Sequence, residues 1–376
     1  MTPRALPDAT AAPALLRTRP HHPVLRRGPD AVQLGLLPGH AVEAAGLSPP
    51  LVELLLELPG SWSRAELMAR AGQLGADEAA AEALLAELYA VGAVQDAAVA
   101  KRAVETRRAA CVLVSGAGPL LGAVAGSLAV AGVGTLYLAT EGEAFTPDGP
   151  AAAGSTGPGT GIDTGIDTGI DAGIDTVAAA VSLLAPDCRV RAGRPRRRPD
   201  LAVLTDLLAP DPERHREFAT RGVPQLVVRM ADELGLVGPL VLPGRSACLR
   251  CLDLHRAAAD PHWPTVAARL AGWVGSGSPA TLAATAALAA EQALLAVDAV
   301  FRAEPPATLD TVLELDLRGG GLRRRRCAPH PDCRCGAAHT RPGDAARTAP
   351  TSDAVPRPGE PEAVNAQAVC APSGEQ

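Results

Sequence analysis

Cys111-Val-Leu-Val-Ser-Gly-Ala-Gly-Pro-Leu-Leu-Gly122 is the stretch on which the fold turns. Its apolar, β-branched start suits a buried strand, Gly116 and Gly118 permit a tight turn, and Pro119 fits the first turn of a helix. Small and apolar residues then lead to a second strand at 135–139. Strand, glycine turn, helix and strand in that order open a doubly wound parallel sheet. Residues 111–139 are uncharged and long enough to cross a bilayer, but six glycines and Pro119 break the run. The expected class is therefore α/β, with no membrane segment.

The same turn is a candidate nucleotide site. Gly116, Gly118 and Gly122 let a phosphate approach the helix start, and Glu141 follows the second strand where an acid binds ribose in dinucleotide sites. The competing explanation is a glycine turn used only for packing.

Alternation continues downstream. Residues 201–204 read as a strand ending in Thr205-Asp206, 212–221 as a helix and 225–229 as a strand. A long Ala- and Leu-rich helix at 279–302 precedes a hairpin of 311–317 and 322–326, joined through Gly319, Gly320 and Gly321. Residues 146–176 carry a four-residue repeat, Gly161-Ile-Asp-Thr to Gly173-Ile-Asp-Thr, expected to be a flexible insertion. Asp163, Asp167, Asp171 and Asp175 make a calcium-binding repeat the alternative.

Upstream, residues 1–23 are rich in Pro, Arg and His and are expected to lack fixed structure. Residues 24–97 give strands at 31–36 and 40–45, three helices and a strand at 91–95, which is winged-helix order. Ser63 and Glu66 form a capping box for the second helix; Leu84, Leu85, Leu88 and Val91 line one face of the third, 77–91, which Gly92 ends. The α/β domain is expected over 105–336, with a disordered tail over 337–376.

Composition narrows the function. With 35 Arg and Lys against 41 Asp and Glu, a net charge of -6, the chain lacks the basic excess of a nucleic-acid binder. The run Arg323 to Arg326 is expected to be a solvated face of the hairpin. No N-terminal stretch combines a basic segment, an apolar run and a cleavage site, so a cytoplasmic protein is expected.

Eight cysteines in 376 residues are too sparse for a disulfide scaffold, and two close pairs favour metal. Cys248-Leu-Arg-Cys251 follows the turn Pro243-Gly-Arg-Ser-Ala, and Cys333-Arg-Cys335 follows Pro329-His-Pro-Asp. Four thiolates make the closed tetrahedral site of structural zinc, with no open position for catalytic water. Cys327 and His330 are spare ligands; Cys111 and Cys188 read as core, and Cys370 lies in the tail.

The glycine turn, the strand Leu201-Ala-Val-Leu-Thr-Asp206, the segment Pro243 to Cys251 and the late cysteine pair occur in the order seen in ThiF and ubiquitin-activating-enzyme-like proteins, which the chain resembles over roughly 105–336. The resemblance implies a Rossmann-like domain with structural zinc, a homodimer, and Asp206 beside magnesium and an adenylate. Two departures stand out. Leu121 replaces a glycine of the adenylating members, and no Arg or Lys lies between Arg108 and Arg189 to meet ATP phosphates. ATP is therefore not expected as a working cofactor.

With the winged-helix-like segment in front, and with Leu249-Arg-Cys-Leu-Asp-Leu-His255 and Asp260-Pro-His-Trp-Pro264, the chain resembles more narrowly the leader-peptide-binding proteins of thiazole/oxazole-modified peptide pathways. That resemblance implies a non-catalytic partner that binds the leader of a ribosomal precursor peptide and presents its core to a YcaO-type cyclodehydratase for azoline formation. Val32 and Leu34 on a strand edge, with Leu84 and Leu88 on the third helix, are the expected peptide-binding residues. An ATP-dependent adenylyltransferase acting on the C-terminus of a ubiquitin-like carrier protein is the alternative. A nicotinamide oxidoreductase using Glu141 has no evident acid-base pair, His255 being read as a support to the cysteine site or a surface residue.

Overall fold

The computed structural model describes residues 15–19, 21–37, 39–140, 173–205, 207–209, 212–298 and 305–339. The sequence expectations for 1–14, most of the repeat insertion and the tail from 340 fall outside these residues.

The N-terminal unit is built from strands β1 (Leu15–Thr18), β2 (Val24–Gly28), β3 (Ala31–Leu34) and β4 (Val42–Ala44), helix α1 (Pro49–Glu57), strand β5 (Trp62–Ser63), helices α2 (Arg64–Leu74) and α3 (Glu78–Ala90), and strand β6 (Val94–Asp96). Its strands form two small sheets, in the orders β5-β1-β6 and β2-β3-β4. Order therefore starts before the expected boundary at 24, because Leu16, 2% exposed, is a core residue whose strand pairs with both β5 and β6. The capping box forms as the sequence predicts: the Ser63 hydroxyl accepts from Glu66 N, and the Glu66 carboxylate accepts from Ser63 N. Asp77 caps α3 in the same way through Ala80 N. One apolar core, including Leu54, Leu55, Leu67, Leu85 and Val94, joins all of these elements.

Helix α4 (Ala97–Ala109) leads to the large sheet. Its Arg107 donates to both carboxylate oxygens of Asp298, which is wholly buried. The chain continues through β7 (Cys111–Ser115), α5 (Pro119–Val130), β8 (Thr135–Ala139), α6 (Ile174–Leu184), β9 (Arg189–Ala192), β10 (Leu201–Thr205), α7 (Pro212–Thr220), β11 (Gln225–Ala231) and β12 (Leu234–Val241). It ends in α8 (Leu249–Ala259), α9 (Trp263–Arg269), α10 (Pro279–Val297), β13 (Thr311–Asp316) and β14 (Gly321–Arg326). Ile174 to Thr176, the end of the expected insertion, form the first turn of α6.

The eight strands lie in the order β14-β13-β12-β11-β10-β7-β8-β9. Strands β9, β8, β7, β10 and β11 are parallel, whereas β12, β13 and β14 add antiparallel. Helices α5, α6 and α10 cover one face around Val112, Val114, Leu136 and Val203. On the other face, Phe218 of α7 packs on Leu113 and Ala202, and α8 packs on Val227 and Val312. Helix α10 is the one described helix long and apolar enough to cross a membrane; half of it is buried here as a core helix against the sheet.

The chain moves outward from β7 through β8 to β9, then crosses back to place β10 on the other side of β7. Such a reversal opens a crevice at the carboxyl ends of the strands, where α/β folds bind ligands.

Candidate functional site

The cysteines come together as expected. Cys248 begins α8 and Cys251 lies one turn on, so both face the same side of the helix. Upstream, Ser246 Oγ accepts from Leu242 N at 2.7 Å and closes the turn around Gly244, whose φ of 71° suits glycine. The second pair is set by a turn in which Cys333 N donates to the His330 carbonyl. Asp310 joins the two loops. Its Oδ1 accepts from Ala247 N at 2.7 Å and its carbonyl accepts from Cys327 N at 2.8 Å.

Sulfur distances are 3.7 Å for Cys248 to Cys251, 3.6 Å for Cys248 to Cys333 and 3.6 Å for Cys251 to Cys335. All four lie within 4.8 Å of one another. A tetrahedron of such an edge has its centre about 2.2–2.3 Å from each sulfur, the Zn–S bond length. The group could hold a metal ion such as zinc. Without a cation the thiols work against each other: Cys251 is pushed down to about 4 because the Cys248 thiol donates to it, Cys248 is pushed far up by the same bond, and burial pushes Cys333 up to about 11. A bound dication would stabilise all four thiolates together.

The spare ligands are outside the group. Cys327 Sγ faces the Arg325 carbonyl at 3.8 Å. His330 Nδ1 accepts from Asp332 N, while His255 stacks edge-on against it at 4.7 Å and reaches the Ala328 carbonyl at 3.1 Å. These two rings brace the loop that carries Cys333.

At the crevice, Gly116 lies so close to β10 that a Cβ would sit 2.3 Å from the Thr205 carbonyl oxygen. Gly118 begins α5 with a φ of 87°, a conformation suited to glycine. Gly122 faces α6 instead, where a Cβ would touch Val177 at 3.4 Å, so it serves helix packing. Glu141 and Asp206 fall outside the described residues.

The arginine missing from the sequence around the glycine turn arrives from α7. Arg214, 8% exposed, donates to Ser115 Oγ at 2.7 Å and to the Thr140 carbonyl at 3.0 Å. Its guanidinium thereby spans the ends of β7 and β8. Its neighbour His215 is buried with Nδ1 2.7 Å from Gln225 Oε1, and burial lowers its pKa, favouring the neutral ring.

The peptide-binding expectation needs correction in its details. Strand β2 pairs along one side of β3 and β4 along the other, so β3 is central and has no edge to offer. Val32 and Leu34 are 0% and 1% exposed, and Leu84 and Leu88 are 8% and 3% exposed, all within the core of the unit. Among the described residues, the outer side of β4 has no partner strand. Leu36 and Leu37, in the turn leading to it, are 68% and 64% exposed.

These features define a class: a mixed α/β protein with a doubly wound sheet, a four-cysteine cluster and a smaller N-terminal unit. The chain matches no protein-family profile and no curated protein sequence. Among solved structures it is similar to E. coli MccB with succinimide, at 12% identity and a TM-score of 0.59, over 85% of this chain and 99% of that one. The microcin C7 biosynthetic enzyme MccB in complex with N-formylated MccA gives a TM-score of 0.58 at 12% identity, over 86% and 99%. The heterocyclase TruD gives 0.54 at 18% identity, over 86% of this chain and 43% of TruD. At these identities the likeness shows a shared fold.

Proposed function

We propose that this chain binds the leader of a ribosomal precursor peptide and presents the peptide to a YcaO-type cyclodehydratase for azoline formation. The observation that carries this reading is the N-terminal unit, where the outer side of β4 has no partner strand among the described residues and Leu36 and Leu37 stand exposed in the turn that leads to it. The fold shared with a peptide-bound biosynthetic enzyme and a heterocyclase supports a role on ribosomal peptides. In this reading the N-terminal unit is the winged-helix-like leader receptor, zinc at Cys248, Cys251, Cys333 and Cys335 is structural, and the protein works in the cytoplasm as a homodimer.

The leader adds as a strand to the outer side of β4, with apolar side chains against Leu36 and Leu37. A proline scan through Val42, Glu43 and Ala44 tests this in the full chain. Fluorescence anisotropy of a labelled leader should show lost binding at a position where the folded protein no longer offers an outward N–H. Unchanged affinity in all three folded variants would exclude β4 as the receptor.

The second reading is the ThiF-type adenylyltransferase, favoured by Arg214 if nucleotide draws it from Ser115 onto the phosphates. It requires pyrophosphate exchange with ATP, sensitive to Arg214→Gln. The scaffold reading requires background exchange.

A further inference from the structure

Arg229 of β11 alternates with Val228 and Met230, which pack in the core under α10, so it lies on the opposite sheet face, the one that carries the cysteine cluster, and is 5% exposed. Among the described residues it makes one hydrogen bond, from Nη1 to the Leu208 carbonyl at 3.2 Å, and no ion pair. A guanidinium has five N–H donors, and burying its charge without a carboxylate is costly. Two more arginines act on it electrostatically. Arg256 of α8 lies over the Trp263 ring at 4.6 Å, and Arg325 of β14 pairs with Glu314 at 2.7 Å.

Both arginines repel Arg229, while Asp253, 3.9 Å from Arg256, is the acid that attracts it. Burial, then this repulsion, pushes Arg229 down to about 10, so it remains charged at neutral pH. Three guanidiniums from three separate elements are thus within electrostatic range of one another, with two carboxylates already engaged by Arg256 and Arg325. Stability alone gives no reason for this arrangement: a leucine at 229 would suit the apolar neighbours Val227 and Leu236 better.

We infer that Arg229, Arg256 and Arg325 form an oxyanion-binding site between α8 and the β11 to β14 face. A phosphate or carboxylate there meets the unused donors of Arg229 directly, while Arg256 and Arg325 supply additional positive charge. Its source is either a small free oxyanion or an acidic side chain of a bound peptide. The site is separate from the glycine crevice and does not depend on the leader-binding reading.

The test uses the full metal-loaded chain and inorganic phosphate. Its unfolding temperature should rise with phosphate to a plateau, relative to sodium chloride at equal ionic strength. Arg229→Gln should lose that response, and Arg325→Gln, at a more exposed position, should weaken phosphate binding about tenfold by calorimetric titration. A glutamate-rich heptapeptide that competes with phosphate, where its glutamine counterpart does not, assigns the source to a peptide carboxylate; failure to compete assigns it to a free oxyanion. An equal phosphate response in native and Arg229→Gln protein would overturn the inference.

Discussion

Replacing Cys251 with serine tests whether the sulfur cluster is a metal site that stabilises the fold. The 3.6 to 3.7 Å sulfur separations leave room for an ion at about 2.2–2.3 Å from each thiolate, and four-coordinate zinc requires all four. If free zinc stands near a thousand times its Kd, binding contributes about 4 kcal/mol. For a domain of this size each kcal/mol is roughly 2–4 °C, so metal loss should lower Tm by about 8–16 °C. The assay is metal content by mass spectrometry beside thermal unfolding, for the native chain, the chelator-stripped chain and Cys251→Ser. All-sulfur coordination should appear in X-ray absorption near 2.3 Å, as is typical of about that bond length. A stripped chain that unfolds at the native temperature, or a serine variant retaining one zinc per chain, would refute the reasoning.

Other consequences follow from buried charge and close packing. Arg107→Met should cost about 3 kcal/mol in denaturant unfolding by leaving Asp298 buried and unpaired, and a matching Asp298→Leu change should restore much of it. His215, whose folded pKa is lowered by burial, contributes stability that is fully present above its unfolded pKa of about 6.5 and declines as pH falls below it. His215→Gln should flatten that part of the stability profile. Gly116→Ala should destabilise by about 1–3 kcal/mol, because its methyl group would strike the β10 backbone; an equally stable variant would show that the turn moves aside.

The readable elements were those whose signal is local. The strand and glycine turn at Cys111 to Gly122, the Ser63 and Glu66 capping box and the two cysteine pairs all carry their chemistry within a few residues. Strand β12 carries no clear strand signal because Gly235, Gly238 and Pro239 interrupt its pattern, although Gly235 is there to admit Thr285 of α10. Strand β2 is mostly exposed, with two arginines and no alternation, so nothing in its sequence announces that it pairs with β3 and takes the edge from Val32 and Leu34. Arg214 lies 99 residues from the serine it binds, so no local pattern marks it. Asp310 was equally hidden, since its role is to tie two loops distant in sequence.

The most direct test of the central claim is the mass of a precursor peptide incubated with ATP, a YcaO-type cyclodehydratase and this chain. The account predicts successive losses of water that require both proteins and an intact leader, with this chain alone neither modifying the peptide nor releasing pyrophosphate. Pyrophosphate release and adenylation of a peptide or carrier C-terminus by this chain alone would contradict it and make the protein an adenylyltransferase.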